Sequence, residues 1–171
     1  MKFQKTSALA LGLTLLLAGC AQGAGSPAPG SEQQTVRQAE ALTTSETWAK
    51  AAESGMSAAF GILHNSSGTP IALHQVSNAQ GDEIQIHEMR GTGTGMTMAQ
   101  LEGDLVIEPR KDAVLAPGGN HLMFMDLQQP LVAAQTARLT LEFADGSSTE
   151  VDFPIRNFDG AKESYDEHAG H

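Results

Sequence analysis

Residues 135–156, QTARLTLEFADGSSTEVDFPIR, decide the fold class. On each side of Asp145-Gly146, apolar residues alternate with polar ones, which is the period of a strand with one buried face. An Asp-Gly pair between two such segments is a strong signal for a β-hairpin. The stretch therefore predicts two antiparallel strands.

Short apolar segments separated by turn residues continue the β pattern back to Met56. We expect strands near residues 56–65, 69–78, 82–89, 95–100, 104–108, 112–115, 120–127, 135–144 and 148–156. Nine short strands with no long helix predict an all-β domain, an antiparallel Greek-key sandwich or barrel. Residues 36–54 are expected to be loosely helical or irregular, with Trp48 packed on the domain.

The N-terminus has the layout of a secretory signal peptide, residues 1–19. Lys2 and Lys5 precede an apolar run that is too short for an ordinary membrane span of about 20 residues. The run ends in Leu17-Ala18-Gly19-Cys20, which resembles a bacterial lipobox. That resemblance implies a lipid on Cys20 and an exported protein, anchored at the outer face of a bacterial membrane or in the periplasm. The alternative is an ordinary signal peptide with a coincidental cysteine.

Composition divides the rest of the chain into three parts. Residues 20–46, after Cys20, are rich in small and polar residues at their start and are expected to form a flexible tether. Residues 47–157 are the predicted β-domain. Residues 158–171 are a polar tail that contains His168 and His171.

Cysteine content and charge exclude several classes of protein. Cys20 is the only cysteine, so a chain lipidated there has no thiol for an iron–sulfur cluster, a cysteine zinc site, a nucleophile or a blue-copper centre. Removing residues 1–19 leaves eight basic residues against 20 acidic ones, a formal charge of −12. An acidic surface argues against a nucleic acid partner.

Histidine and methionine residues share strand faces in two of the predicted strands. In 82–89, the strand period puts His87 and Met89 opposite Ile84 and Ile86. In 120–127, the residues His121, Met123 and Met125 lie opposite Leu122 and Phe124. His121 and Met123 would then stand roughly 6–7 Å apart along the strand.

Methionine is unusually frequent in this part of the chain. Met96 and Met98 also share a face, so that five Met residues (89, 96, 98, 123 and 125) fall within 37 positions. Thioether sulfur is a poor ligand for hard cations and a good one for Cu(I), and imidazole suits copper as well. A His and Met set without thiolate therefore indicates Cu(I). The competing interpretation is that these Met residues fill gaps in the core.

The segment IQIHEMRGTGTGMTMAQLEGDLVIEPRKDAVLAPGGNHLMFMDLQQPL resembles the signature of the periplasmic copper chaperone family PCuAC. The family pattern is a His, a Met about eleven residues later, and a His-x-Met a little over twenty residues after that. The resemblance covers about residues 46–156. It implies a cupredoxin-like form of the β-fold and Cu(I) bound by His87, Met98, His121 and Met123.

Other residues could join or replace these ligands. Met89, Met96 and Met125 are candidate alternates, and Met96 could exchange roles with Met98. Some family members carry a His-rich C-terminal extension linked to Cu(II). The tail here has only two histidines, His168 and His171, which are a candidate for a second, Cu(II) site. A frayed polar tail is the alternative.

The resemblance implies an exported chaperone that receives Cu(I) from other copper carriers and delivers it to the copper-bearing subunit of cytochrome c oxidase. We expect the transfer site to be shallow and close to the surface. Competing hypotheses are copper storage or resistance without a specific client, and a structural lipoprotein that binds no metal. No Gly-x-Ser-x-Gly motif is present, and we expect the protein not to be an enzyme.

Overall fold

The computed structural model describes residues 36–91 and 96–158, all within one compact unit. These residues form one helical turn, α1 (Gln38–Ala41), and ten strands. The strands are β1 (Leu42–Lys50), β2 (Ser57–Asn65), β3 (Ile71–Ser77), β4 (Glu83–Arg90), β5 (Thr97–Gln100), β6 (Leu105–Ile107), β7 (Asp112–Leu115), β8 (His121–Asp126), β9 (Thr136–Phe143) and β10 (Ser148–Arg156). The nine strands expected from the sequence are all present, within a few residues of their predicted ends.

The strands are hydrogen-bonded in the order β5-β4-β8-β2-β1-β10-β9-β3-β6, with β7 beside β2. The order is open, with β5 and β6 at its ends, and apolar side chains from both halves of it pack into one core as in a sandwich. The predicted all-β, cupredoxin-like class is confirmed. The pair β1–β10 is parallel, whereas the other described strand pairs are antiparallel as expected.

The β9–β10 hairpin shows why its sequence is so informative. Burial alternates along both strands, which places Leu139, Leu141 and Phe143 in the core together with Phe153. Gly146 takes a φ of 76° in the turn, a conformation that suits glycine. The strict alternation fixes the register, because a slip of one residue would bury the polar face.

The expectation of loosely helical or irregular structure over residues 36–54 agrees with the helical turn α1 but is wrong for Leu42–Lys50. β1 occupies Leu42–Lys50, between β2 and β10. Only Trp48 and Ala49 of this strand are buried, and the register shifts between Ser45 and Trp48, where Glu46 has a φ of 54°. Because a bulge breaks the period of two, the sequence shows no strand signal there. The domain thus begins before residue 47.

A second, smaller apolar cluster lies on strands β8, β2 and β1. It is on the face that points away from the main core, which is called the outer face below. It consists of Trp48, Ala58, Phe60 and Met123, with Met125 and Phe158 packed against it. The Trp48 ring lies 4.5 Å from that of Phe60 and 5.1 Å from that of Phe158, and the Arg156 guanidinium sits 3.8 Å from its centroid. The predicted packing role of Trp48 is thus confirmed. Phe158, assigned above to the tail, packs on the domain.

Several predictions concern the two ends of the chain. Cys20, His168 and His171 lie outside the described residues, as do the predicted signal peptide and most of the predicted tether and tail. Within residues 36–91 and 96–158, no helix has the length and apolar character needed to cross a membrane.

Candidate metal site

The pairing of three neighbouring strands brings the candidate ligands onto one face. β4 and β8 pair so that His87 lies directly opposite His121. β5 pairs with β4 so that Met98 lies opposite Met89. Directly opposed residues of an antiparallel pair project to the same side of the sheet, and Met123 is two residues from His121 on its strand. The four predicted ligands therefore share the outer face of this half-sheet.

His121 lies at the centre of this arrangement and is fully buried. Its Nδ1 is 2.8 Å from the carbonyl oxygen of Gly119. A carbonyl can only accept, so Nδ1 carries the proton and donates it, which leaves Nε2 with a free lone pair in the neutral ring. That Nε2 lies 3.2 Å from the sulfur of Met98. Two electron-pair donors face each other there.

The separation of these two donors suits a shared metal ion. Bonds of about 2.0 Å to nitrogen and about 2.3 Å to sulfur, as in zinc sites, put two tetrahedral ligands about 3.5 Å apart. The observed 3.2 Å between His121 Nε2 and Met98 Sδ is close to that value. A cation between them would replace the contact of two lone pairs with two bonds.

His87 is the second buried imidazole, and its side chain is 6% exposed. Its ring centroid lies 5.6 Å from that of His121. Nε2 is 2.9 Å from the Oε1 atom of Gln85, while Nδ1 is buried and has no hydrogen-bond partner in the described structure. A buried polar atom without a partner is rare. Burial, with a smaller contribution from His121, lowers the pKa of His87 to about 4, so the ring is neutral at pH 7 and can bind a metal.

The methionines differ in their distance from the surface. Met123 is fully buried in the cluster with Trp48 and Phe60. Met98 is half-buried beside His121, whereas Met96 is 45% exposed. Met96 and Met98 are expected from the sequence to be interchangeable as ligands. Of these two, the structure brings Met98 into contact with His121. Met89 and Met125 are both half-buried on the same face.

The expectation of a shallow site is wrong for the histidines. Both His87 and His121 are buried. Phe60 explains part of this difference, since its ring lies 6.1 Å from that of His121. The apolar cluster of Trp48, Ala58, Phe60 and Met123 covers part of this face. Met98 and Gln85, both half-buried, connect the pair to more exposed positions.

The remaining described histidines are accounted for by surface ion pairs. His64 pairs with Asp112, and His74 Nδ1 lies 2.8 Å from Asp104. The hydrogen bond to Asp104 raises the pKa of His74. Residues 36–91 and 96–158 contain no group of three or more His, Cys, Asp or Glu side chains arranged to hold a metal. A site at the His87–His121 pair therefore needs thioether ligands.

Two residues that matter for this geometry were missed at the level of sequence. Gln85 holds one imidazole and the carbonyl of Gly119 holds the other. The strand period puts Gln85 on the face of His87, but nothing in the sequence indicates a contact between them. The sequence shows Gly119 only as part of the turn Pro117-Gly118-Gly119.

The buried state of His87 predicts how the stability of the metal-free protein depends on pH. The pKa falls from an ordinary value of 6.5 to about 4 on folding, so the unfolded chain binds the proton more tightly. The contribution of the neutral ring is therefore complete above pH 6.5 and is lost as the pH falls toward 4. Between these values we expect the free energy of unfolding to drop by up to ~1.4 kcal/mol per pH unit. Urea unfolding of the wild type and of His87→Gln from pH 7.5 to 4 measures this. Equal slopes for both proteins would contradict the prediction.

This sandwich, with a histidine pair and thioethers on one sheet face, has the fold of PCuAC domains, and the resemblance seen in the sequence is confirmed. The chain belongs to the LpqE-like lipoprotein family. The family model, described as "Putative lipoprotein LpqE-like", matches residues 42–155. A relative from Leifsonia xyli subsp. xyli (strain CTCB07), "Putative lipoprotein Lxx21020", is 40% identical over 160 residues, which cover 93% of this chain and 91% of that protein.

Solved structures with the same fold include two with copper. The copper-bound PCuAC domain from PmoF2 superposes with a TM-score of 0.57 at 19% identity, covering 69% of this chain and 94% of that domain. CuI-DR1885 from Deinococcus radiodurans, determined in solution, gives a TM-score of 0.54 at 26% identity, covering 70% of this chain and 82% of that one. At 19% identity the first comparison establishes the fold alone.

Proposed function

We propose that this protein is an exported copper carrier that binds one Cu(I) ion through His87, His121, Met98 and Met123. The observation that carries the proposal is the Nε2 of His121 facing the Met98 sulfur at 3.2 Å while Nδ1 faces the Gly119 carbonyl, beside a second buried imidazole. The neighbours described as copper-bound support it, among them the Cu(I) protein from D. radiodurans at 26% identity.

The ligand set favours the monovalent ion. Both imidazoles are buried and the thioethers are uncharged, so the bound ion keeps its full charge inside the domain. The cost of burying a charge rises steeply with its magnitude, which disfavours Cu(II) relative to Cu(I). Thioether sulfur is also a soft ligand that prefers Cu(I). Binding and release, with no chemical step on a substrate, are the proposed activity.

Anaerobic titration of the mature chain with Cu(I) against a competing chelator tests the proposal. We expect one Cu(I) per chain, with mixed nitrogen and sulfur ligation by X-ray absorption. Failure to compete with the chelator would mean that the Met residues on this face serve packing alone.

Met123→Leu separates ligation from packing. Leucine has nearly the volume of methionine, and such a substitution usually costs less than ~1.5 kcal/mol of stability. Because the sulfur is lost, we expect the Cu(I) affinity to fall by about 10-fold or more, with part of the loss offset if Met125 or Met89 takes its place. The same titration measures the effect, and unfolding in urea measures stability.

Met56→Leu is the matched control, because Met56 is 41% exposed and is not a proposed ligand. The control should leave the Cu(I) affinity unchanged. An unchanged affinity in Met123→Leu would remove Met123 from the ligand set.

Delivery to the copper-bearing subunit of cytochrome c oxidase and anchoring through a lipid on Cys20 complete the proposal. The description of the family and of the Leifsonia relative as lipoproteins supports the anchor. A deletion strain should lose oxidase activity, and added copper should restore it. A strain with normal oxidase activity but increased copper sensitivity would instead indicate storage or resistance.

A further inference from the structure

The two buried histidines are held in opposite ways, and this difference determines which ring nitrogen each can offer. His121 donates from Nδ1 to the Gly119 carbonyl and keeps Nε2 free. In the described structure, the imidazole of His87 is hydrogen-bonded through Nε2, to Gln85 at 2.9 Å. The free nitrogen of His87 is therefore Nδ1, if the amide of Gln85 accepts this bond rather than donating it.

A carboxylate fixes the orientation of that amide. The Gln85 Nε2 atom lies 2.7 Å from Glu83 Oε1. A carboxylate only accepts, so the NH₂ group of Gln85 must face Glu83 and its Oε1 must face His87. The orientation of an amide is ambiguous when judged alone, but here the order Glu83–Gln85–His87 permits one arrangement. The Nε2 of His87 thus carries the proton.

The other nitrogen of His87 is the unusual one. Nδ1 is buried and lacks a hydrogen-bond partner in the described structure. A buried acceptor left without a partner is costly, and a metal ion is the kind of partner that would remove the cost. His87 also lies directly opposite His121 in the β4–β8 pairing, so the unpartnered atom belongs to a ring beside the His121–Met98 contact.

We infer that His87 binds Cu(I) through Nδ1 while His121 binds it through Nε2, and that Gln85 is the positioning residue that sets this difference. The inference rests on the proposed function and deepens it. An imidazole that binds a metal usually donates its other N–H to an oxygen, which fixes both the tautomer and the ring orientation. Gln85 fills that role for His87 as Gly119 does for His121.

The imidazole nitrogens can be observed directly by long-range ¹H–¹⁵N correlation on the mature chain labelled in histidine. In the metal-free protein we expect the Nε2–H form for His87 and the Nδ1–H form for His121. This result needs no copper. A metal-free His87 in the Nδ1–H form would overturn the inference.

Addition of Cu(I), which is diamagnetic, tests the binding atoms in the same spectra. We expect the bound-state shift at Nδ1 of His87 and at Nε2 of His121. A shift at Nε2 of both rings would overturn the inference and leave the proposed function intact. Absence of any binding would overturn the proposed function and the assignment of binding atoms, while the metal-free spectra would still decide the tautomers.

Gln85→Leu tests the positioning role, with Gln100→Leu as the matched control. Gln100 is the register partner of His87 on the other neighbouring strand and is exposed. We expect Gln85→Leu to give a mixture of His87 tautomers and about 10-fold weaker Cu(I) binding, the lower end of the range for residues that orient a ligand. Gln100→Leu should change neither. A single unchanged tautomer in Gln85→Leu would overturn the role of Gln85. If that variant does not fold, the wild-type spectra still decide the binding atoms.

Discussion

Replacing His121 with alanine should lower the Cu(I) affinity by more than about 100-fold. Loss of a residue that only orients a ligand typically costs about 10–100-fold, and removing the ligand itself should cost more. His121 is fully buried, contacts the Met98 sulfur and lies directly opposite His87. Apart from His87, which is itself a proposed ligand, the described histidines are held in surface ion pairs and are not placed to replace it.

The measurement is chelator competition under anaerobic conditions, with His74→Ala as the control. His74 is exposed and paired with Asp104, so its removal should leave the Cu(I) affinity unchanged. Since His121→Ala leaves a cavity, circular dichroism must first show a folded protein. Met98→Leu, at a half-buried position, provides an independent loss of a ligand. Retention of wild-type affinity in a folded His121→Ala would place the copper site elsewhere.

Replacing Phe153 with alanine should destabilise the domain by about 3–5 kcal/mol, the usual range for phenylalanine deleted from a core. Phe153 is fully buried on β10 and lies opposite Ala137 of β9. Because Ala137 has a small side chain, it cannot fill the cavity that the loss of the Phe153 ring would leave. β10 also pairs with β1, so the substitution acts where the two halves of the sheet are joined.

Urea unfolding of the metal-free protein measures this change. Val106→Ala is the control, because Val106 is 53% exposed on β6 and a surface substitution usually changes stability by less than ~0.5 kcal/mol. A loss below about 1 kcal/mol in Phe153→Ala would contradict the core assigned to the hairpin. Because a domain of this size is stable by only ~5–15 kcal/mol, the expected loss is a large share of the total.

The strands could be predicted where burial follows a simple period. In β9 and β10 every second residue is buried, so the sequence alone gave both strands and the hairpin. β1 had no such period, because four consecutive exposed residues and a bulge precede Trp48. Its position depends on pairing with β2, the next strand, and with β10, which is far away along the chain. Long-range pairing of this kind leaves no local pattern.

The candidate site was predictable in its membership more than in its geometry. The period of two placed His121 and Met123 on one face and His87 on the corresponding face of its strand. The register that sets His87 opposite His121 comes from β4–β8 pairing, which the sequence does not encode locally. The burial of both rings also escaped prediction; part of the cover of His121 is Phe60, which comes from β2.

The parallel pairing of β1 with β10 also fixes where the histidines lie along the sandwich. Both strands run in the same direction and finish together, with Lys50 beside Arg156. The pairings of β1 and β8 with β2 put His121 near the level of Trp48, six residues or roughly 20 Å along from Leu42. The candidate ligands therefore lie toward one pole of the sandwich, where β1 and β10 end, and Leu42 lies toward the other. Under the proposed function, a protein that takes up the copper would dock at the first pole and leave the second free.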